Sequence, residues 1–524
     1  MVSLLRSLPA AALSRLLLGG VLLLSGGCRA EEGPAAVASQ PLHWPVAAPA
    51  ALDPAAPALW IALAARLGPA PGADAAGAAP LRLRAGGGLL TLIDGSGQRF
   101  SAPELALHWR REELSEPLTL RRRVLGPFAS FESAERAAEQ WRALGAKAEI
   151  AKPGEWEVWA PADAAPPPGS PARLVEQRET GRLALELRRG EGVVALQGPI
   201  RIEAPGGLRW KEGLYAGPFR LLSDAHGSWS LVEEVPLERY LEGVVPHEIG
   251  AGSPPAALAA QAVLARTWAV RNRHRFVVDG YHLCADTQCQ VYSDPRQAGT
   301  AVRQAIAATR HRVLTAAGEP IHAVYHASNG GVSAGFEEAW AGEALPYLRV
   351  FADGPAGFVA RFPVPLAPAS LPVLLGEGGA AYGADHPRFR WQRLLTAAQI
   401  RRALGKEAAS VGEPKALKVL ERGASGRVLA LEIQGSTGSR VLRLDAIRRT
   451  LRQLPSTLFT VKPAGVGAWQ VQGGGFGHGA GLSQAGAIDL AGRGWSTEQI
   501  LQHYYPGTEL RSLPALGPAL GGSR

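Results

Sequence analysis

The chain has 524 residues, which at ~100–200 residues per domain points to about three domains rather than one core. Lys+Arg of 55 against Asp+Glu of 46 gives a net charge of +9, and charged residues make up 19%, somewhat under the usual ~25%. Gly 63 and Pro 41 together stay below the ~25–30% of wholly disordered chains, and Cys 3 is too few for a disulfide-stapled miniprotein, so both classes are excluded. The positive balance suits an anionic partner, but a mild one; nucleic acid, wall polymer, membrane and a merely solvated surface fit it equally.

The first residues sharpen that choice. Arg6 and Arg15 precede an uncharged run over 16–24, followed by Ser25, Gly26, Gly27 and Cys28. This reads as a signal peptide: a basic start, a short apolar stretch, then small residues. The apolar run spans only about 14 Å as a helix against the ~30 Å of a hydrocarbon core, which argues against a transmembrane helix. Cys28 after small residues resembles a lipoprotein processing site that would anchor the chain to a membrane, although Ser25 stands where a leucine is expected. Export makes wall polymer or membrane surface a better anionic partner than nucleic acid. The expected location is the periplasm or cell envelope.

Residues 29–58 are Ala/Pro-rich without period and read as a mobile spacer. A β-rich segment is expected over 59–121, with short strands about Asp94-Gly95-Ser96-Gly97. Residues 122–161 read as a compact unit: a strand through Val124 and Leu125, a helix over 133–144 with Ala134, Ala137, Ala138 and Trp141 at amphipathic spacing, and a strand at 156–159. The strand–helix–strand order, with Leu125-Gly126-Pro127-Phe128 before the helix and Leu144-Gly145-Ala146 at its end, resembles one half of a SPOR domain. That resemblance implies binding of wall glycan strands that have lost their peptides. A generic packed βαβ unit is the plain alternative. Pro-rich residues 162–180 read as a linker. Strands are then expected at 183–188, 192–196, 200–203, 219–222 and 229–235, and a helix past Ser253, taken as its N-cap with Pro254 at the first helical position.

Residues 237–248, ending in Pro246-His247-Glu248, and the following helix through Arg266 resemble the SpoIID/LytB family, the stage II sporulation protein D and amidase-enhancer group. Further blocks match in the same order: Cys284 to Tyr292, Tyr325-His326-Ala327-Ser328 leading to Trp340, the glycine-rich run through Gly477-His478-Gly479 to Ser483-Gln484, and Tyr504-Tyr505-Pro506. The match covers roughly 210–510, so one domain over 181–512 is expected, with a variable insertion at about 355–460. The implied class is α+β: a β-rich mixed SpoIID-like catalytic body beside the small βαβ SPOR-like unit.

What the resemblance implies is peptidoglycan cleavage by lytic transglycosylation, with the catalytic glutamate falling on Glu248. That reaction needs one carboxyl group, which protonates the glycosidic oxygen and then, as a base, helps the muramic sugar's own primary hydroxyl to close an anhydro ring. Ordinary glycoside hydrolysis usually needs two carboxylates. A helix N-terminus after Glu248 would favour its carboxylate, so an apolar wall is required to keep it protonated; the sequence does not reveal one. By resemblance Arg266 orients Glu248 or binds an anionic group; a structural ion pair is the alternative. His326, Ser328 and His478 are read as sugar-binding or structural, and Ser483, Gln484, Tyr504 and Tyr505 have hydrogen-bonding and stacking chemistry that suits glycans. His282, Cys284 and Cys289 are weak zinc candidates, because Gln288 stands where the family's further histidine is expected; a disulfide or free thiols are favoured, and no cofactor is expected. The expected partners are peptidoglycan glycan strands. Two rival functions stay open: a non-catalytic wall-binding enhancer of an amidase partner, and a glycoside hydrolase using water.

Overall fold

The computed structural model describes residues 40–521 except 71, 191 and 378. The leader, Cys28 and the first part of the expected spacer lie outside the described residues. From residue 40 the spacer expectation is corrected. This stretch is tied to the body: Trp44 N–H donates to the Ala225 carbonyl at 3.2 Å, the Ala50 carbonyl accepts from His282, and Leu52 is buried.

Two largely antiparallel sheets follow. Strand Ala58–Leu67 sits in a seven-stranded sheet between Trp229–Pro236 and the short Leu283–Cys284. An eight-stranded sheet is built on the long strand Glu104–Phe128, which pairs with Arg173–Arg189 along most of its length. Alternation is clean where the inner faces meet: Leu81, Leu83 and Ala85 are buried while Arg82 and Arg84 point outward. Leu83, Leu107 and Leu185 of one sheet share a core with Leu59, Leu221 and Leu231 of the other. Glu104–Phe128 runs unbroken through the expected boundary at 121/122, and Arg173–Arg189 begins inside the expected linker. The segments that look separate in sequence are therefore strands of common sheets, joined by ladder hydrogen bonds.

The strand–helix–strand order is present. Helix α1 (Phe131–Ala143) is capped by Ser130, whose hydroxyl accepts the Ser133 N–H, and it buries Phe131, Ala134, Ala138 and Trp141 against Trp156 and Val158. A short extra strand, Glu149–Ala151, pairs with Trp156–Pro161.

Helix α2 (Leu237–Val245), one π-helical turn (Pro246–Gly250) and helix α3 (Pro255–Arg271) carry the site. Every residue of α3 from Ala257 to Val270 is buried, so it has no solvent face and its alanines let neighbouring helices close around it. The expected cap is corrected. Ser253 instead donates its hydroxyl to the Ile249 carbonyl at 2.8 Å, closing the turn, while Pro254 takes the cap position and Pro255 opens the helix.

The expected insertion is a folded lobe. It holds two three-stranded sheets with their own core about Trp391, Ile400, Val428, Ile433 and Phe459, and it runs past the expected end at 460, because strands Phe459–Pro463 and Ala468–Gly474 complete one of them. Fully buried Arg427 fastens it to the body by donating to the carbonyls of Val332 at 2.8 Å and Asn329 at 2.9 Å. The architecture is α+β. Among the described residues no helix is long and apolar enough to cross a membrane.

Candidate active site

Glu248 occupies the π-helical turn between α2 and α3, an irregularity that swings its side chain out of the helix line and into a cleft of about 360 Å3. Trp156, Trp268, Val291, Tyr325 and Trp340 form much of the wall. One hydrogen bond holds the carboxylate, from the Val291 N–H at 3.0 Å. Burial raises the Glu248 pKa above the ordinary 4.5, and this hydrogen bond is the one influence pulling it down. The apolar wall that the sequence does not reveal is supplied by aromatic side chains from distant segments.

The only other carboxylate on this cleft among the described residues is Glu132, and it is spoken for. It pairs with Arg275, a residue 4% exposed, whose guanidinium lies over Phe131 at 4.3 Å and Trp268 at 4.9 Å and also donates to the Gln288 carbonyl at 2.9 Å. This ion pair fastens α1 across the cleft and leaves Glu248 as the unpaired acid.

A polar chain runs beside Glu248. Tyr240 donates to Gln290 at 3.1 Å, and Gln290 donates its amide to the Tyr325 oxygen at 2.9 Å. Tyr325 accepts in that bond, so its own proton is free toward the cleft. Its phenol feels the charge of Glu248, which together with burial pushes its pKa well up and keeps it a donor.

Other expected site residues take different places. Arg266 is fully buried and forms a two-pronged pair with Glu238 at 2.9 and 2.7 Å, and it donates to the Arg312 carbonyl at 3.0 Å. Its expected role beside Glu248 is corrected to a structural ion pair: the acid across from it is on the first turn of α2, not in the turn after it. His478 does reach the cleft, but Nδ1 accepts from Ala480 at 3.2 Å and Nε2 donates to the Tyr325 carbonyl at 2.9 Å. Burial and nearby arginines lower its pKa to about 3, so it is neutral, and its ring lies tilted against Trp340 with centroids 4.7 Å apart. His326 is buried and donates Nδ1–H to the Ala480 carbonyl at 3.1 Å.

Five polar residues expected at the sugar serve the scaffold. The Ser328 hydroxyl accepts from Gly330 at 3.3 Å, and Ser483 caps the helix Gln484–Gly492. Gln484 donates to Gln261 at 3.3 Å, Tyr504 to Asp353 at 3.0 Å, and Tyr505 to the Val324 carbonyl. All five are buried. The glycine run serves the same interior: Gly479 has φ +89°, and a side chain there would collide with the Arg427 guanidinium.

Cys284 and Cys289 are joined in a disulfide, and His282 has both ring nitrogens engaged, accepting from Trp60 N–H at 2.9 Å and donating to the Ala50 carbonyl at 3.1 Å. These three do not fit a zinc ligand set, and no group of three or more His, Cys, Asp or Glu suited to a metal occurs among the described residues. The disulfide closes the turn from Cys284 to Cys289, and Gln290 and Val291 follow it directly, so it stiffens the backbone that holds Glu248.

Sequence reasoning missed Tyr325, Gln290, Val291 and Arg275. A signal for the first existed. Tyr325 and His326 form one short strand, in which neighbours face opposite sides. Choosing the histidine for the cleft chose the wrong face of the pleat.

Comparison with known proteins agrees with this frame. Residues 225–315 match the family model described as Stage II sporulation protein, and residues 334–481 match a domain of unknown function (DUF8618). Stage II sporulation protein D of Bacillus subtilis (strain 168) is 29% identical over 302 residues, covering 54% of this chain and 77% of that protein. Stage II sporulation protein D of Bacillus amyloliquefaciens is 29% identical over 300 residues, 53% of this chain and 75% of that protein. The amidase enhancer of Bacillus subtilis (strain 168) is 29% identical over 295 residues, 52% of this chain and 40% of that protein. With the family's sequence blocks assembled around one cleft, residues 225–315 carry a Stage II sporulation protein domain, and the chain is similar to the SpoIID/LytB group.

Proposed function

We infer that this protein is a cell-envelope enzyme that cuts peptidoglycan glycan strands as a lytic transglycosylase, with Glu248 as its single acid and base. The observation that carries the reading is the isolation of Glu248: an acid in an aromatic-walled cleft, its pKa raised by burial, with the other carboxylate of the cleft bound to Arg275. The protonated Glu248 gives its proton to the glycosidic oxygen as the bond from the muramic C1 to that oxygen breaks. The resulting carboxylate then takes the proton of the same sugar's 6-hydroxyl as O6 bonds to C1. No water is consumed, atoms balance within the strand, and Glu248 ends protonated again. Tyr325, with its free O–H, is placed to bond the leaving or attacking oxygen.

The single available carboxyl weighs against the hydrolase alternative, which needs a second one to activate water or form an adduct. The printed name of the amidase-enhancer relative supports keeping the enhancer alternative in the test. The SPOR-like reading of residues 122–161, and with it a hold on glycan, is part of this proposal, because α1 and Trp156 wall the Glu248 cleft. Incubating purified peptidoglycan with the wild type and with Glu248→Gln, alone and with an amidase, separates the readings. Soluble fragments released by the wild type alone and lost in the variant support the enzyme. Release only when amidase is present, equal for both proteins, would establish the enhancer.

A further inference from the structure

A second, larger cavity of about 760 Å3 is not used by this chemistry. It shares Ser130, Gln288, Trp340 and His478 with the Glu248 cleft, so the two are arms of one groove. Arg388, Arg393, Arg448 and Arg452, all from the inserted lobe, line this arm. None of them has a carboxylate partner among the described residues. Arg388 lies over Phe476 at 4.2 Å, while Arg393 and Arg452 reach only backbone carbonyls. A fifth arginine, Arg449, is taken by Glu155 at 2.6 Å.

Arg448 is the telling one. Its Nε is buried with no hydrogen-bond partner, and burial works against its charge. A guanidinium stays protonated in proteins, so a half-buried cation without a counter-charge carries a cost that an anionic ligand would relieve. Its charge is felt by His478 and His326, which puts it at the junction of the two arms. Two acids also line the arm and do not neutralise it. Asp445 accepts from Ser130 and, at 3.0 Å, from Ser133, with burial raising its pKa; Glu338 accepts from Ser425.

We propose that the arginine arm binds carboxylates carried by the wall glycan, with Arg448 as the central contact, and so holds the strand beside the bond presented to Glu248. This rests on the glycan-cutting reading above. Carboxylates spaced along the sugar chain come from two sources: the free lactyl groups of peptide-free strands, or the stem peptides of intact ones. Guanidinium pairs match either in two-pronged geometry.

Binding of three probes to the full chain carrying Glu248→Gln tests this without consuming substrate: peptide-free strands, peptide-bearing strands, and chitohexaose, a neutral oligosaccharide. At least one anionic strand is expected to bind about tenfold or more tighter than chitohexaose, an advantage that shrinks in high salt. Arg448→Gln should remove most of that advantage and leave chitohexaose binding unchanged. The exposed pair Arg388→Gln with Arg452→Gln should remove part of it, which keeps the test available if the buried substitution misfolds. Whichever anionic strand loses affinity identifies the source. Equal binding of neutral and anionic strands, or arginine variants that weaken all three probes alike, would overturn the proposal. Strand cutting by proteins with Glu248 intact is read separately, so an absent carboxylate preference with cutting retained refutes this arm's role alone. A retained preference without cutting refutes the lyase reading alone.

Discussion

The two arms of the groove meet at Trp340 and His478 and are opposites in their electrostatics. Around Glu248 the walls are aromatic, the neighbouring ion pair is internally closed, and burial raises the pKa of an acid that has no cation beside it. Across the junction the walls carry four arginines with no carboxylate partner among the described residues. On the proposed reading, the difference separates two tasks. Proton transfer to a sugar oxygen needs an acid whose pKa is pushed up, and a nearby arginine would undo that. Holding an anionic polymer needs the unpaired cations themselves. The fold keeps them apart by drawing the first arm from α2, α3 and the disulfide loop, and the second from the inserted lobe.

The strongest way to break the comparison is to remove the acid. Glu248→Gln should lower strand cutting by about 10²–10⁴-fold, the usual span for a general acid–base group, while strand binding stays. Measured fragment release with binding checked in parallel decides it. Next comes the clamp that keeps the acid arm free of charge. Arg275→Ala leaves the half-buried Glu132 without its partner and empties the space over Phe131 and Trp268, so a loss of about 2–4 kcal/mol in denaturant unfolding is expected. An unchanged midpoint would show that α1 is not held by this pair.

How far the sequence reaches differs between the arms in the same way. Glu248 is legible because local features frame it, a Pro-flanked turn just before a helix, within a family motif. Its raised pKa is not legible, since Trp156, Trp268 and Trp340 come from three distant segments. Arg266 was legible as important but its partner was not: which of Glu238 and Glu248 it meets depends on how α2 packs on α3. Ser328, Ser483, Gln484, Tyr504 and Tyr505 have ligand-like chemistry, and only tertiary structure shows that their bonds are spent inside. The arginine arm assembles side chains from 388 to 452 on separate elements of a lobe whose sequence reads as a featureless insertion. Residues 122–180 show the same limit, because strand pairing across the sheets leaves no local mark at the boundaries.

Smaller effects sharpen the contrast. Tyr325→Phe removes one hydrogen bond to a reacting oxygen, about 0.5–1.5 kcal/mol, so cutting should slow by up to about tenfold, and it leaves the buried Gln290 amide without its acceptor, so about 1–3 kcal/mol of stability should go with it. Replacing both Cys284 and Cys289 by serine frees the loop carrying Val291. The cross-link spans few residues, so about 2 kcal/mol of stability should be lost, with cutting reduced and strand binding by the arginine arm kept. The mildest effect concerns pH. Folding raises the Glu248 pKa, so the native state holds this proton to higher pH than the unfolded chain. This costs stability as pH rises from the ordinary 4.5 through the raised value. Glu248→Gln escapes that loss: its melting temperature should exceed the wild type's at about pH 7 and converge with it below about pH 4.

Cutting peptide-free strands in ¹⁸O-labelled water and identifying the new ends by mass shows whether one acid acts here without water. The expected products are anhydro-muramic ends with no heavy oxygen, absent when Glu248→Gln is used. Reducing ends carrying heavy oxygen, or anhydro ends that persist in the variant, would contradict the single-acid reading.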